Sequence, residues 1–295
     1  MILTDRYANM RARASLYTDS ANWAYIGIVM AALWFGFIII FQIIFGLWAG
    51  LQTVQDNPDV VDAFFLGSTP AAVRWTLATF AIYTALLLGM MRLVHNLRLR
   101  ALIGPTRTAI NEFIKVTLYL SPIYAFLIIP SLFRPEAQRQ FTTTTWLSML
   151  PVMLPLLFVQ ISAEEFVFRG YLQSHMAALT SHPIIWMGVP SFLFGMIHFD
   201  PTGDPYAAWS YVIWATALGL VCADLTARSE TLGTALAVHF INNIGALIIL
   251  AADDWLYGAA LFVWPTYGEP WVPWIPFEAL FLFTVWLAAR LALRR

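Results

Sequence analysis

The chain has 295 residues, of which 60% are hydrophobic and only 11% are charged. Soluble domains carry about 25% charged residues, so this composition excludes an ordinary soluble fold and indicates an integral membrane protein. The net charge of −1 offers no basic surface for nucleic acid, so we expect no nucleic-acid partner. The single cysteine, Cys222, excludes an internal disulfide framework and a four-thiolate zinc site.

Eight apolar stretches approach the roughly 20 residues that cross a bilayer, and the fifth is short enough for a re-entrant helix. They are Trp23–Trp48, Ala71–Met91, Phe113–Pro130, Trp146–Phe168, Ile184–Phe199, Tyr206–Ala223, Thr231–Ala251 and Val272–Ala289. We therefore predict an all-α polytopic membrane protein with a bundle of about eight transmembrane helices. The whole chain, 1–295, is expected to form one transmembrane domain with a motif-bearing core at about 146–251.

The arginines predict the orientation of this bundle. Mostly polar residues precede the first stretch, which is too long for a signal-peptide core, so no cleaved signal peptide is expected. With the N-terminus inside, eleven arginines lie on inner segments and only Arg134 and Arg139 on outer loops. This bias predicts a multi-pass protein of a bacterial inner membrane with both termini in the cytoplasm. His95, His175 and His182 fall in or beside inner loops, where we expect them to be solvated.

Polar residues at the end of the fourth stretch are candidates for function. A charged side chain within a span costs on the order of 2.5–3.5 kcal/mol on insertion scales. Glu165 and Arg169 are four residues apart with the acid first, which predicts an ion pair on one helix face. Glu164 points about 100° away, on a stripe with Gln160, and has no partner within its own helix. We interpret Glu164 as a general base facing a wet cavity; alternatively, both acids only stabilise helix packing.

The fifth and seventh stretches carry the other candidate residues. Phe194 and His198 are four residues apart in the fifth, and a lone histidine on an apolar helix is more often a packing residue than a catalytic one. In the seventh, His239 and Asn243 share one helix face, and Asn242 lies close to it. These side chains can hold an oxyanion, bind a metal or join helices as polar contacts.

Together the three elements resemble the CAAX prenyl protease type 2 family, also called the CPBP family, which includes abortive-infection-type membrane peptidases. The family motifs are Glu-Glu-x-x-x-Arg, Phe-x-x-x-His and His-x-x-x-Asn or Asp. This chain has all three in order, over about 80 residues from Glu164 to Asn243, each on a separate apolar stretch. The resemblance implies a helical bundle with a catalytic cavity inside the membrane. With the bounds given above, Glu164 would lie near the inner face and His198 near the outer one, so a shared site requires that the fourth helix continues through Leu172 to Leu179 or that the fifth begins near Pro190.

The resemblance also implies a role for each motif residue in peptide hydrolysis. Glu164 and His198 would activate a water. His239 and Asn243 would stabilise the tetrahedral oxyanion. The residues that would support the site are Glu165, Arg169 and Phe194.

We expect no cofactor, with a zinc ion held by Glu164, His198 and His239 as the alternative. The zincin motif His-Glu-x-x-His is absent from the sequence. The sequence also lacks a Gly-x-Ser-x-Gly nucleophile in a span and a Gly-x-Gly-Asp motif, which disfavours rhomboid-like serine and presenilin-like aspartyl enzymes.

The expected function is a membrane endopeptidase, whose partners are the lipid bilayer and a peptide or membrane-anchored protein substrate. Two other classes of function stay open. One is a proton- or ion-coupled transporter, in which the polar cluster forms the ion path; against it, the sequence has no inverted repeat. The other is a non-catalytic membrane scaffold or immunity factor.

Overall fold

The computed structural model describes residues 7–51, 58–201, 204–229, 231–265 and 275–294, most of which are helical. The first six helices are α1 (Ala8–Ala14), α2 (Trp23–Leu51), α3 (Pro58–Leu66), α4 (Pro70–His95), α5 (Leu99–Ile103) and α6 (Thr106–Ser131). The next six are α7 (Thr143–Glu165), α8 (Ser174–Leu179), α9 (Val189–Met196), α10 (Pro205–Arg228), α11 (Gly233–Asn243) and α12 (Ile275–Leu293). Wider π-helical turns occur at Phe166–Gln173, Ile184–Gly188 and Ile244–Ile249, and 3-10 turns at Ser15–Ser20 and Tyr257–Ala259.

Six helical stretches within the described ranges are long and apolar enough to cross a membrane. They are Trp23–Gly46, Pro70–His95, Thr106–Ser131, Thr143–Leu179, Pro205–Arg228 and Pro276–Leu293. Two shorter apolar helices, Ile184–Met196 and Gly233–Ile249, correspond to the fifth and seventh predicted stretches. The protein is therefore an all-α polytopic integral membrane protein, as predicted, and the expected eight helices appear as six long and two short ones.

The bound of the fourth stretch at Phe168 is wrong, and the alternative that a shared site required is confirmed, because this helix continues through Arg169 to Leu179. Arg169 ends an apolar stretch in the sequence, but in the structure Glu165 neutralises it and the helix runs on. Glu164 therefore lies in the interior of a 37-residue helix rather than near its end. The fifth stretch ends earlier than predicted, at Met196, so that His198 lies in the turn that follows.

Local sequence explains where the site-bearing helices begin. The Thr142 side chain accepts a hydrogen bond from the backbone N–H of Thr145 and caps α7. Asp204 caps α10 in the same way through the N–H of Ala207, and Pro205 occupies the first turn. The short helix α11 packs against α6, α7 and α10, and α9 packs against α10. These contacts bring the three motif-bearing helices together in the interior of the bundle.

The two ends of the bundle carry different structures. At one end, a small sheet has the order β1 (Gln138–Arg139), β3 (Phe262–Trp264), β2 (Leu250–Ala252). Strand β1 is antiparallel to β3, with Gln138 opposite Val263, and β2 is parallel to β3. At the other end, α1 packs on α8 and α10, where the Tyr7 hydroxyl donates to Asp224 at 2.9 Å.

The expectation that His95 and His175 are solvated is wrong. His175 is fully buried and His95 is 9% exposed, in a cluster with Tyr17 and Tyr171. The His95 Nε2 and Tyr171 Oη atoms are 3.1 Å apart. The reason is that the segment before the first span folds back over this end of the bundle and covers both rings, which no sequence pattern indicates. His182, the third histidine of that prediction, is exposed as expected.

Candidate active site

Glu165 is the centre of a buried chain of charged side chains. Its Oε1 atom accepts hydrogen bonds from Arg169 Nη1 and from His239 Nδ1, both at 2.8 Å. Glu165 is 0% exposed, Arg169 1% and His239 3%. The ion pair predicted from the Glu165–Arg169 spacing is therefore present, and it also reaches the second helix α11 through His239.

His239 lies between the two glutamates of the first motif. Because its Nδ1 faces a carboxylate, which can only accept, Nδ1 carries a proton and the other ring nitrogen faces the site. That nitrogen, Nε2, lies 3.5 Å from Glu164 Oε2, which has no hydrogen-bond partner among the described residues. The interaction is electrostatic at this distance, since a normal hydrogen bond is shorter. Glu164, which is 7% exposed, is thus separated from the Glu165–Arg169 pair and is directed at His239.

The Arg169 guanidinium occupies a confined slot between helices. Its carbon lies 4.4 Å from the centroid of the Phe194 ring, which places the cation against an aromatic face. A Cβ atom at Gly219 of α10 would lie 3.1 Å from Arg169 Nη2 and 3.0 Å from the Ser191 Cβ. A larger residue would require Ser191 or Arg169 to move, so Gly219, which no sequence motif indicated, contributes to the close packing around Arg169.

Phe194 also connects the two histidines. Its ring centroid lies 5.0 Å from that of His198 and 5.6 Å from that of His239. His198 Nδ1 lies 2.9 Å from the Phe194 carbonyl oxygen, which can only accept, so this nitrogen carries a proton. In the neutral ring, Nε2 of His198 is then the nitrogen with a free lone pair. His198 is half-buried, whereas His239 is enclosed.

Asn243 lies one turn beyond His239 but contacts a different residue of α7. Its Nδ2 donates to Gln160 Oε1 at 3.0 Å, and its Oδ1 accepts from Asn242 Nδ2 at 3.2 Å. The sequence placed Gln160 on the Glu164 face of the helix, but the contact with Asn243 was not foreseen. It joins the third motif to α7 at a second point.

A hollow of about 290 Å³ lies between α4 and α7 beside these groups. It is lined by Ala81, Thr84, Phe158, Val159, Ser162 and Phe166. Ser162 and Phe166 lie on either side of the two glutamates in sequence. The hollow is almost wholly apolar apart from the hydroxyls of Thr84 and Ser162, as suits an opening towards lipid.

The residues proposed as zinc ligands are not arranged as a metal site. Within the described ranges, no group of three or more His, Cys, Asp and Glu side chains lies close enough together to hold a metal ion. Glu164 and His239 face each other, but they are two groups and not the three that a zinc site with an open position needs. We therefore derive no step through a metal.

Comparison with known proteins bears on the segment that carries these residues. Residues 145–245 match the family of type II CAAX prenyl endopeptidases described as Rce1-like. An uncharacterized protein of Bacillus subtilis (strain 168), YyaK, is 27% identical over 157 residues, which cover 52% of each chain. The chain thus spans about half the length of this curated relative. No solved structure matches. The matched segment contains all three motifs, and it confirms that this part of the chain resembles the type II CAAX prenyl endopeptidases, a family of membrane peptidases.

Proposed function

We propose that the protein is a membrane-embedded endopeptidase in which Glu164 and His198 activate a water and His239 and Asn243 stabilise the oxyanion. The observation that carries the proposal is the position of His239 between the two glutamates. One of them is held by Arg169, and the other is left facing the site. This separates a carboxylate that orients from a carboxylate that is free to react.

The proposed reaction begins with a water between Glu164 and the lone pair of His198 Nε2. Glu164 accepts a proton from this water as its oxygen attacks the peptide carbonyl carbon. The proton then passes to the leaving amide nitrogen as the C–N bond breaks, which yields a carboxylic acid and an amine. The low dielectric of the membrane interior strengthens each of these electrostatic interactions.

The position of His239 supports its role as an oxyanion donor. Glu165 occupies Nδ1, so Nε2 is the ring nitrogen directed into the site, and a proton on Nε2 would be the donor for the developing oxyanion. The Glu165 carboxylate orients the ring throughout, as the aspartate does in a catalytic triad.

The test is hydrolysis by the purified protein in liposomes, with an internally quenched peptide library that includes a farnesylated Cys-aliphatic-aliphatic-X peptide. Glu164→Ala and His198→Ala should each lower kcat/KM by about 100-fold or more, the usual weight of a general acid or base. Exposed residues of the same type provide matched controls, Glu136→Ala and His182→Ala, which should retain wild-type rates. Equal rates for the wild type, Glu164→Ala and His198→Ala would contradict the proposal.

The same liposomes test the transporter alternative. A pH-sensitive dye inside them should report no proton flux that depends on Glu164. A flux that Glu164→Ala abolishes, without peptide cleavage by the wild type, would instead support a proton-coupled transporter.

We also propose that the end carrying α1 faces the cytoplasm of a bacterial inner membrane. The α1 helix contacts the end of α10, and Trp286 of α12 donates to Asp224 there at 2.8 Å, so α1, α10 and α12 meet at one end. The arginines of the sheet end, Arg134 and Arg139, lie at the opposite end of the bundle. A C-terminal green fluorescent protein fusion should fluoresce, and an alkaline phosphatase fusion should be inactive; the reverse pattern would overturn this orientation.

A further inference from the structure

A second polar chain, beside the charged one, ends on a residue outside the three motifs. The Tyr124 hydroxyl of α6 donates to Asn242 Oδ1 at 3.3 Å, and Asn242 Nδ2 donates to Asn243 Oδ1 at 3.2 Å. Asn243 Nδ2 then donates to Gln160 Oε1 at 3.0 Å. All three donors point the same way along the chain, and in this arrangement each hydrogen bond strengthens the next.

The chain fixes the orientation of the Asn243 amide. Its carbonyl oxygen is occupied by Asn242, and one of its two N–H groups is occupied by Gln160. An amide held at both ends cannot rotate about its last side-chain bond without losing both hydrogen bonds. One N–H group of Asn243 is then left for a substrate.

Gln160 connects the orientation of the Asn243 amide to the position of the proposed general base, Glu164. It is 6% exposed and lies four residues before Glu164, so that both side chains project from one face of α7. A single rigid helix face therefore carries the carboxylate that activates water and the amide that holds the oxyanion donor. Any movement of α7 shifts both together.

On the basis of the proposed peptidase function, we propose that Gln160 is a positioning residue for the reaction, which aligns the free N–H group of Asn243 with the oxyanion. It acts through Asn243 and does not touch the reacting atoms. A contact that only joined helices would contribute to folding and leave the rate of the folded enzyme unchanged, and this difference can be measured.

The experiment uses Gln160→Met, Asn243→Ala and the double variant in liposomes, with the quenched peptide that the wild type cleaves fastest. Gln160→Met keeps the size of the side chain but cannot accept the hydrogen bond. We expect kcat to fall between about 10-fold and about 100-fold with KM within about 2-fold, because misplacing a catalytic group by about 1 Å has an effect of this size. In the Asn243→Ala background, the same change should slow the enzyme by less than about 2-fold.

Two further variants distinguish an effect on catalysis from a folding defect. Gln160→Glu keeps an acceptor at Oε1 and should retain at least about 5-fold more activity than Gln160→Met. Gln173→Met is the matched control, since Gln173 is also buried and donates to the Ala223 carbonyl at 2.9 Å, away from the motif residues. It should leave kcat within about 2-fold of the wild type.

The outcomes separate this inference from the proposed function. A wild-type kcat for Gln160→Met, or effects of Gln160→Met and Asn243→Ala that multiply in the double variant, would overturn the role of Gln160 and leave the peptidase intact. Equal rates for the wild type and Glu164→Ala would overturn both. A fall in kcat that disappears without Asn243 and is partly rescued by glutamate supports the inference.

Discussion

Replacement of Glu165 by alanine should destabilise the protein far more than replacement of its neighbour Glu164. Glu165 binds Arg169 and His239 at 2.8 Å each and is wholly buried. Without it, Arg169 remains as a buried cation whose Nε and Nη2 atoms already have no hydrogen-bond partner among the described residues. Glu164 has only the 3.5 Å approach to His239 Nε2, so its loss leaves no cation without a counter-ion.

The expected magnitude follows from this difference. Removing one partner of a buried ion pair costs about 3–5 kcal/mol, because the remaining charge is desolvated and uncompensated. Removing Glu164 should change the free energy of unfolding by less than about 1 kcal/mol, because its Oε2 atom makes no hydrogen bond that would be lost. At about 2–4 °C per kcal/mol for chains of a few hundred residues, Glu165→Ala should lower Tm by about 10 °C.

The assay is thermal unfolding of each purified variant in one detergent, followed by tryptophan fluorescence. The double variant Glu165→Ala, Arg169→Met should recover at least half of the lost Tm, because replacing both partners by apolar side chains leaves no unpaired charge. Glu164→Ala serves as the control, with peptidase activity lost and Tm retained.

Two results would refute this reasoning. Equal changes in Tm for Glu164→Ala and Glu165→Ala would mean that the buried pair contributes no specific stability. A double variant no more stable than Glu165→Ala would show that the loss arises from the cavity and not from the uncompensated charge of Arg169.

Three further predictions concern other parts of the molecule. Gly219→Ala should displace the Arg169 guanidinium, which lowers the free energy of unfolding by about 1–3 kcal/mol and also lowers kcat. Gly89→Ala is the control, because a Cβ atom there meets nothing within 4 Å, and it should change neither quantity. Unchanged Tm and kcat for Gly219→Ala would contradict the confined position of the guanidinium. Burial, followed by the charge of Asp224, raises the pKa of Tyr7 above 10.0, so its contribution to stability is complete below about pH 10 and falls as the pH rises towards the folded-state value. The Tm difference between the wild type and Tyr7→Phe should therefore shrink between about pH 9 and pH 11, and a constant difference would count against this linkage. Mass spectrometric metal analysis of active protein should find zinc far below one equivalent, and stoichiometric zinc that is lost together with activity would restore the zinc alternative.

Much of the site geometry could be predicted because regular helices convert spacing into direction. The four-residue separation of Glu165 and Arg169 predicted their ion pair, and the 100° step placed Glu164 on a different face. The partner that each face meets could not be predicted, since this depends on how helices pack. Hence the contact of His239 with both glutamates, and that of Asn243 with Gln160, emerge only from the fold.

The wrong boundaries have a common physical origin. Hydropathy treats Arg169 as a charge that ends a span, although a paired charge can lie inside one. The same rule placed His175 in a solvated loop, whereas it lies on α8 beneath the N-terminal segment. A residue-by-residue scale has no term for a partner that the fold supplies, so it fails where charged and polar groups are neutralised by tertiary contacts.

The π-helical turns show how the fold holds the motifs and still packs closely around them. The helix α7 is regular as far as Glu165, and the helix α11 is regular as far as Asn243. In both cases wider turns begin at the next residue. The positions of the two glutamates and the spacing of His239 and Asn243 therefore come from α-helical geometry, whereas Arg169, the last residue of the first motif, lies within the wider turns. In the first of these segments a Cβ atom at Gly170 would lie 3.0 Å from Leu102 and 3.3 Å from Leu232, so the backbone passes very close to two neighbouring elements. The wider turns thus coincide with the segment in which the 37-residue helix passes these neighbours, directly after Glu164 and Glu165.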